Sequence, residues 1–219
     1  MKNIGIIGSG TMGIGIAQVA ASNGCTVFLF DVNTDQSQKA MLQLKSTLDK
    51  LVLKEKLTKI KSEEIVSNIK ICHQLKDLAT CEVVIEAIVE NKDIKQKVFI
   101  ELESYVSVDC ILASNTSSIS ITSISSELQN PERFIGVHFF NPAPLMALVE
   151  IIPGLLTYPD LATKMVDLMK NWGKSPVIVK DIPGFLVNTI ARPFYGEALR
   201  IVEVYIASIE QVDFAMKSI

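Results

Sequence analysis

The sequence predicts an α/β protein with a doubly wound, mostly parallel β-sheet, followed by a short helical segment. Apolar runs of strand length alternate with segments of helical period up to about residue 180, which is the pattern of repeated βαβ units. Beyond residues 181–184 the strand pattern does not return. The 219 residues, 48% of them hydrophobic, suffice for one substantial core and the beginning of a second.

Eight strands are expected, each as a short apolar run bounded by turn-forming or polar residues. They are residues 4–7, 27–30, 69–72, 83–88, 111–113, 134–140, 148–152 and 177–179. The first helix is expected over residues 11–23, where Gly24 is placed to end it.

Two helical regions depart from simple alternation. Residues 35–66 predict a helical-hairpin excursion that breaks near Leu57 and Thr58. After the boundary, residues 185–206 predict one helix, and Ser208 with Gln211 forms a capping box that opens another. We therefore expect a first domain over residues 1–182 and, over residues 183–219, the beginning of an incomplete all-helical domain.

Composition excludes several classes of function. Lys and Arg total 21 against 24 Asp and Glu, a net charge of -3, so nucleic acid and anionic membranes are not expected partners. The four cysteines lie in or beside apolar runs without CxxC spacing, which indicates buried thiols and no metal site. With no secretory segment and no apolar run of about 18 residues, a cytoplasmic location is expected.

The first strand leads into a glycine-rich turn, GSGTMG at residues 8–13. Gly8, Gly10 and Gly13 form a GxGxxG motif between a strand and a helix, the arrangement of a Rossmann-type dinucleotide site. Thr11 and Met12 open the helix, whose first N–H groups can bind a pyrophosphate. Asp31 ends the second strand, where a carboxylate accepts hydrogen bonds from the ribose and repels a 2′-phosphate. The motif predicts NAD as the cofactor.

The two histidines differ in context. His73 has no partner motif and is interpreted as structural. His138 lies at the carboxyl end of a predicted strand, where open α/β sheets form their ligand crevice. Glu150 lies within the next apolar strand and needs a partner if buried. If the chain turns back over residues 141–147, the two face each other, and the carboxylate would hold one imidazole tautomer for a general base.

Together these residues resemble the 3-hydroxyacyl-CoA dehydrogenase family, which includes bacterial 3-hydroxybutyryl-CoA dehydrogenases. The matching segments are GSGTMG at 8–13, VIEA at 84–87, ASNTSS at 113–118, HFFNP at 138–142, LVE at 148–150 and PGFLVN at 183–188. The chain departs from the family at Ala147 and Thr189, where Lys and Arg are common.

The resemblance implies four catalytic residues. His138 would be the base, Glu150 would orient it, and Ser117 and Asn188 would hydrogen-bond the substrate. From the residues alone, Ser117 is first of all a helix cap and Asn188 an interior helix residue.

The resemblance also implies that Glu90, Lys95, Ser117 and Asn141 line the nicotinamide side of NAD.

The function expected is NAD-dependent interconversion of (3S)-3-hydroxyacyl-CoA and 3-oxoacyl-CoA by a homodimer joined through its helical domain. Lys50 and Lys54 share a helix face and would bind coenzyme A phosphates, or else form an ordinary solvated face. Two alternatives stay open: a non-catalytic NAD-binding structural or sensor protein, and a β-hydroxyacid dehydrogenase, whose catalytic-lysine motif the sequence does not contain.

Overall fold

A computed structural model describes residues 1–218 and places eight strands in one sheet. The strands are β1 (Asn3–Ile7), β2 (Thr26–Phe30), β3 (Ile69–Cys72), β4 (Val83–Glu86), β5 (Ile111–Ser114), β6 (Phe134–Phe139), β7 (Leu148–Pro153) and β8 (Ser175–Ile178). Their order is β3-β2-β1-β4-β5-β6-β7-β8. Every neighbouring pair is parallel except β6 and β7, which are antiparallel. The doubly wound, mostly parallel sheet is confirmed.

Within residues 1–218, eight α-helices connect and extend the sheet. They are α1 (Thr11–Ser22), α2 (Thr34–Leu53), α3 (Lys59–Ser67), α4 (Lys92–Glu103), α5 (Ile121–Ser125), α6 (Pro159–Asn171), α7 (Val187–Glu203) and α8 (Ile209–Lys217). The predicted hairpin excursion is α2 and α3, and the predicted capping box of Ser208 and Gln211 opens α8.

Each predicted strand has a counterpart. A side-chain contact accounts for the shifted end of one strand, and a backbone conformation for the shifted start of one helix. β4 ends at Glu86 and not at Ile88, because the Glu86 carboxylate accepts the N–H of Ile88 and draws the chain out of the ladder. α7 begins at Val187 and not at residue 185, because Phe185 has a φ of 50°, outside the helical region.

The core lies on both faces of the sheet. Alternate residues of one strand point to opposite faces, so Ile6 joins the cluster beneath α1 and α6, while Ile7 joins the cluster beneath α4 and α5. Two-sided burial explains why the strands read as nearly continuous apolar runs. It also leaves the strand ends as the place where polar side chains gather.

The four cysteines are buried free thiols, as predicted. Burial raises the pKa of the Cys72 thiol to about 11 and that of Cys110 to about 12. Because the thiolate is the reactive species, these two side chains act as small apolar core residues.

The last two helices bury none of their residues. Large apolar side chains on them are exposed, among them Phe194, Leu199 and Phe214. Within the described residues, no helix combines the length and apolarity needed to cross a membrane.

Candidate active site

The turn after β1 can be built only with glycine at two positions. A Cβ on Gly13 would lie 1.8 Å from the carbonyl oxygen of Gly8. A Cβ on Gly8 would lie 2.6 Å from the carbonyl oxygen of Ala87, and the φ of Gly8 is +100°. These contacts let α1 begin directly above the end of β1, as a dinucleotide turn requires.

The N-terminus of α1 fits a diphosphate. Its N-cap is Gly10, which provides no capping side chain, and the first turn contains no acidic residue. A Cβ on Gly10 would meet nothing within 4 Å, so open space lies against the helix end. The helix dipole and the unpaired N–H groups favour an anion there. A cleft of about 860 Å³ runs from Gly8 and Gly10 past Asp31, room that fits a dinucleotide.

Asp31 fastens the glycine-rich turn to the end of β2. Its Oδ2 accepts hydrogen bonds from the backbone N–H and the hydroxyl of Ser9, at 2.7 and 2.8 Å, and its Oδ1 accepts from the N–H of Asn33 at 2.9 Å. Asp31 also lines the cleft. The remaining lone pair, on Oδ1, is available to a ribose. Its role in cofactor choice stays a prediction.

His138 and Glu150 face each other across the antiparallel pair of β6 and β7, in the register expected from the turn over residues 141–147. His138 Nδ1 lies 2.7 Å from Glu150 Oε2, and both residues are buried. The imidazole packs against the rings of Phe140 and Phe185, with centroid distances of 4.5 and 5.7 Å. The carboxylate therefore meets the imidazole inside an apolar enclosure, where an ionic hydrogen bond is strong.

Glu150 has a second set of partners that the sequence did not indicate. Its Oε1 accepts the N–H groups of Leu186 and Val187, both at 2.9 Å. The same carboxylate therefore orients the imidazole and holds the first turn of α7. Asn188 follows directly, and its Nδ2 donates to the carbonyl oxygen of Ser117 at 3.3 Å.

The junction before α7 is anchored at Asp181. Its carboxylate accepts the hydroxyl of Ser120 and the N–H groups of Ile121 and Thr122, at 2.8 to 2.9 Å. These bonds cap the start of α5 and tie the junction to the loop that carries Ser117.

Ser117 is held by Glu90. Glu90 Oε1 accepts the Ser117 N–H at 2.9 Å, and the hydroxyls of Thr116 and Ser118 at 2.5 and 3.2 Å. Burial would raise the pKa of Glu90, but the hydrogen bond from Thr116, the charge of Lys95 and the Ser117 N–H outweigh it and lower that pKa. Glu90 is therefore an ionised acceptor around which this loop is arranged.

Lys95 is 1% exposed and lies between two carboxylates. Its Nζ is 2.6 Å from Glu86 Oε1 and 3.3 Å from Glu90 Oε2. Glu86 was not among the predicted site residues. The signal that would have found it is an acid within an apolar strand, the same signal that identified Glu150.

Among the remaining predicted residues, Met12 in the first turn of α1 is half-buried, and Thr11, Asn141, Lys50 and Lys54 are exposed. Asn141 follows β6 on the loop to β7, and Lys50 and Lys54 lie at the C-terminal end of α2. His73, interpreted from the sequence as structural, lies exposed at the rim of the cleft that Asp31 lines. The substrate-binding and nicotinamide-side roles stay predictions.

Comparisons with known proteins agree with this arrangement. Residues 3–182 match the family described as 3-hydroxyacyl-CoA dehydrogenase, NAD binding domain. Residues 184–219 match the family described as 3-hydroxyacyl-CoA dehydrogenase, C-terminal domain.

Individual relatives match over nearly the whole chain. A 3-hydroxyadipyl-CoA dehydrogenase of Escherichia coli (strain K12) is 41% identical over 99% of this chain, which spans only 46% of that protein. A 3-hydroxybutyryl-CoA dehydrogenase of Bradyrhizobium diazoefficiens is 40% identical over 99% of this chain and 74% of that protein. The crystal structure of (S)-3-hydroxybutyryl-CoA dehydrogenase from Ralstonia eutropha superposes with a TM-score of 0.96 and 42% identity, covering 99% of this chain and 77% of that chain.

The motifs that carried the resemblance, the fold around them and the matched residues thus lead to one assignment. This chain belongs to the 3-hydroxyacyl-CoA dehydrogenase family, and its residues 3–182 match the family's NAD-binding domain.

Proposed function

We propose that this protein is an NAD-dependent oxidoreductase that interconverts (3S)-3-hydroxyacyl-CoA and 3-oxoacyl-CoA. An example of such a pair is 3-hydroxybutyryl-CoA and acetoacetyl-CoA. The reaction belongs to fatty acid metabolism, including β-oxidation. The observation that carries the proposal is the buried contact of 2.7 Å between His138 Nδ1 and Glu150 Oε2. A base at a strand end, on the same edge of the sheet as the dinucleotide turn, suits the oxidation of an alcohol.

His138 acts as the general base. With a proton on Nδ1 shared with Glu150, the lone pair of Nε2 is free to accept the proton of the 3-hydroxyl group. The imidazolium that forms is stabilised by the carboxylate beside it. In the reverse direction the same nitrogen returns the proton to the 3-oxo oxygen. NAD, when bound, accepts or supplies the hydride.

Ser117 and Asn188 position the substrate near its reacting oxygens. They belong to different parts of the chain, yet the bond from Asn188 Nδ2 to the Ser117 carbonyl oxygen brings them together. Holding two hydrogen-bonding groups at one place lowers the entropy cost of aligning the substrate. Glu90, Lys95 and Asn141 complete the nicotinamide side.

The coenzyme A phosphates bind at the end of α2, where Lys50 and Lys54 are exposed on one helix face. An ordinary solvated face is the alternative for these two lysines.

The quaternary structure is a homodimer joined through the helical segment over residues 183–219, and the first domain comprises residues 1–182. The support for this interface is the unburied apolar surface of α7 and α8. We place the enzyme in the cytoplasm. Sedimentation at several concentrations tests the dimer.

The test of the activity is the oxidation of NADH by acetoacetyl-CoA with the purified protein, followed spectrophotometrically. Turnover that requires both reactants supports the proposal. Tight NADH binding without turnover would instead indicate a non-catalytic NAD-binding protein. Turnover with a free 3-hydroxy acid and none with the coenzyme A thioester would indicate a β-hydroxyacid dehydrogenase.

A further inference from the structure

The carboxyl end of β4 carries a buried charge outside the machinery proposed so far. Glu86 is fully buried at the last position of the strand, paired in register with Ile7 on one side and Ser114 on the other. Because the strand order reverses between β1 and β4, this is the switch point where open α/β sheets form their ligand crevice.

Three donors compensate the buried carboxylate. Ser114 Oγ donates to Oε2 at 2.7 Å, while the Ile88 N–H at 2.7 Å and Lys95 Nζ at 2.6 Å donate to Oε1. Each bond comes from a different element: β5, the β4–α4 loop and the first turn of α4. Glu86 thus fixes Lys95 at one point in the interior.

Lys95 carries this fixed position onward to Glu90. Its ammonium group lies 3.3 Å from Glu90 Oε2, while Glu90 Oε1 holds the Ser117 loop. The contacts form one series from Glu86 through Lys95 and Glu90 to Ser117. Lys95 is 1% exposed, so its contribution to the nicotinamide side is made through Glu90 and not by direct contact with the cofactor.

Resting on the proposed function, we infer that Glu86 is a positioning residue: with Lys95 it forms a buried pair that sets the place of Glu90 and, through it, of Ser117. Buried ion pairs can often be replaced by apolar residues of similar volume at little cost in stability, so stability alone does not require a charged pair at this place. The ammonium group of Lys95 in this pair contacts Glu90, which holds the Ser117 loop beside the proposed base.

The test removes both charges together, in the double variant Glu86→Gln/Lys95→Met. Removing one partner alone would leave an uncompensated buried charge and threaten folding, whereas a neutral pair of similar shape is tolerated. The matched control is Glu103→Gln/Arg133→Met. It removes the other buried ion pair of α4, with 3.2 Å between Glu103 Oε1 and Arg133 Nη2, at the opposite end of that helix.

Two measurements are needed, the first without cofactor. In a carbon-13 NMR titration, the pKa of the Glu90 carboxyl should rise in the double variant, because the charge of Lys95 is lost, and stay unchanged in the control. In the NADH assay, kcat should fall by about 10- to 100-fold in the double variant, with KM for acetoacetyl-CoA within about twofold of wild type. In the control kcat should stay within about twofold of wild type.

Adding Glu90→Gln to the double variant should slow it scarcely further, because residues that act as one unit give non-additive losses. A double variant with wild-type kcat, an unmoved Glu90 titration, or a fully multiplicative further loss would each overturn the inference. If the wild-type protein does not turn over acetoacetyl-CoA, the proposed function fails, and the Glu90 titration alone still decides whether the pair acts on Glu90.

Discussion

Replacing Glu150 with Gln should reverse the tautomer of His138. Oε1 of Glu150 accepts two N–H groups, those of Leu186 and Val187. A glutamine must place its carbonyl oxygen there, since the amide NH₂ would face two donors. The NH₂ group then points at His138 Nδ1, which lies 2.7 Å from Oε2 in the native protein, and donates to it. The imidazole proton moves to Nε2, so Nε2 loses the lone pair that the base needs.

The magnitude follows from the two backbone donors. Turning the amide round would leave both buried N–H groups unpaired, at about 1–3 kcal/mol each. The amide orientation that blocks the base is therefore favoured by at least about 2 kcal/mol, or about 30-fold. General-base contributions are about 100- to 10,000-fold in rate, so kcat should fall by at least about 30-fold and by at most that contribution, while the affinity for NADH stays nearly intact. His138→Gln should lose at least as much.

The assay combines steady-state kinetics with nitrogen-15 NMR of the imidazole. Native protein should show the proton on Nδ1, and the Glu150→Gln variant should show it on Nε2. The combined variant His138→Gln/Glu150→Gln should be scarcely slower than His138→Gln alone, because the two residues act as a unit. The reasoning is refuted by a proton that stays on Nδ1 in the Glu150→Gln variant. It is equally refuted by fully multiplicative losses, or by a His138→Gln protein that keeps more than about a tenth of kcat.

Three further predictions concern the cofactor, the substrate and acid stability. Asp31 should make kcat/KM for NADPH at least about fivefold lower than for NADH, because two unit charges about 4 Å apart repel by about 1–4 kcal/mol; an equal or higher value for NADPH would contradict this. Replacing Lys50 and Lys54 with Ala should raise KM for acetoacetyl-CoA several-fold and leave KM for NADH unchanged. An unchanged KM for acetoacetyl-CoA would indicate that these lysines only form a solvated helix face. Because the pKa of Glu90 is lowered on folding, its ionised form should stabilise the protein above the unfolded pKa of about 4.3, with that stability lost as the pH falls through the folded pKa. Urea unfolding of wild type and Glu90→Gln should therefore converge in acid, and a pH-independent difference would exclude the linkage.

The fold was predictable because local and long-range signals agree. Two-sided burial makes each strand an apolar run, and the GxGxxG motif requires a strand before it and a helix after it. The pairing of His138 with Glu150 could also be predicted from the sequence. A buried acid needs a partner, and an antiparallel return places residues opposite one another.

The other contacts of the candidate site could not be predicted, because they leave no periodic pattern in the sequence. Lys95 reaches Glu86 from the first turn of the next helix, and the N–H groups of Leu186 and Val187 reach Glu150 from 36 and 37 positions away. Backbone donors have no residue-type signature, so no motif could indicate them. The positive φ of Phe185 is hidden in the same way, since an aromatic residue at that position reads as part of the helix.

The junction between sheet and helices also determines where this protein tolerates exchange with its relatives. Glu150 binds residues 186 and 187 only through their N–H groups, so those side chains are free to vary, with proline excluded. Asp181 and Phe185 act through their own side chains, one capping α5 and the other packing on the His138 ring. A chimaera that takes its helices from another family member should therefore be joined before Asp181 or after Phe185, because a crossover between these two residues would pair one parent's cap with the other parent's aromatic anchor.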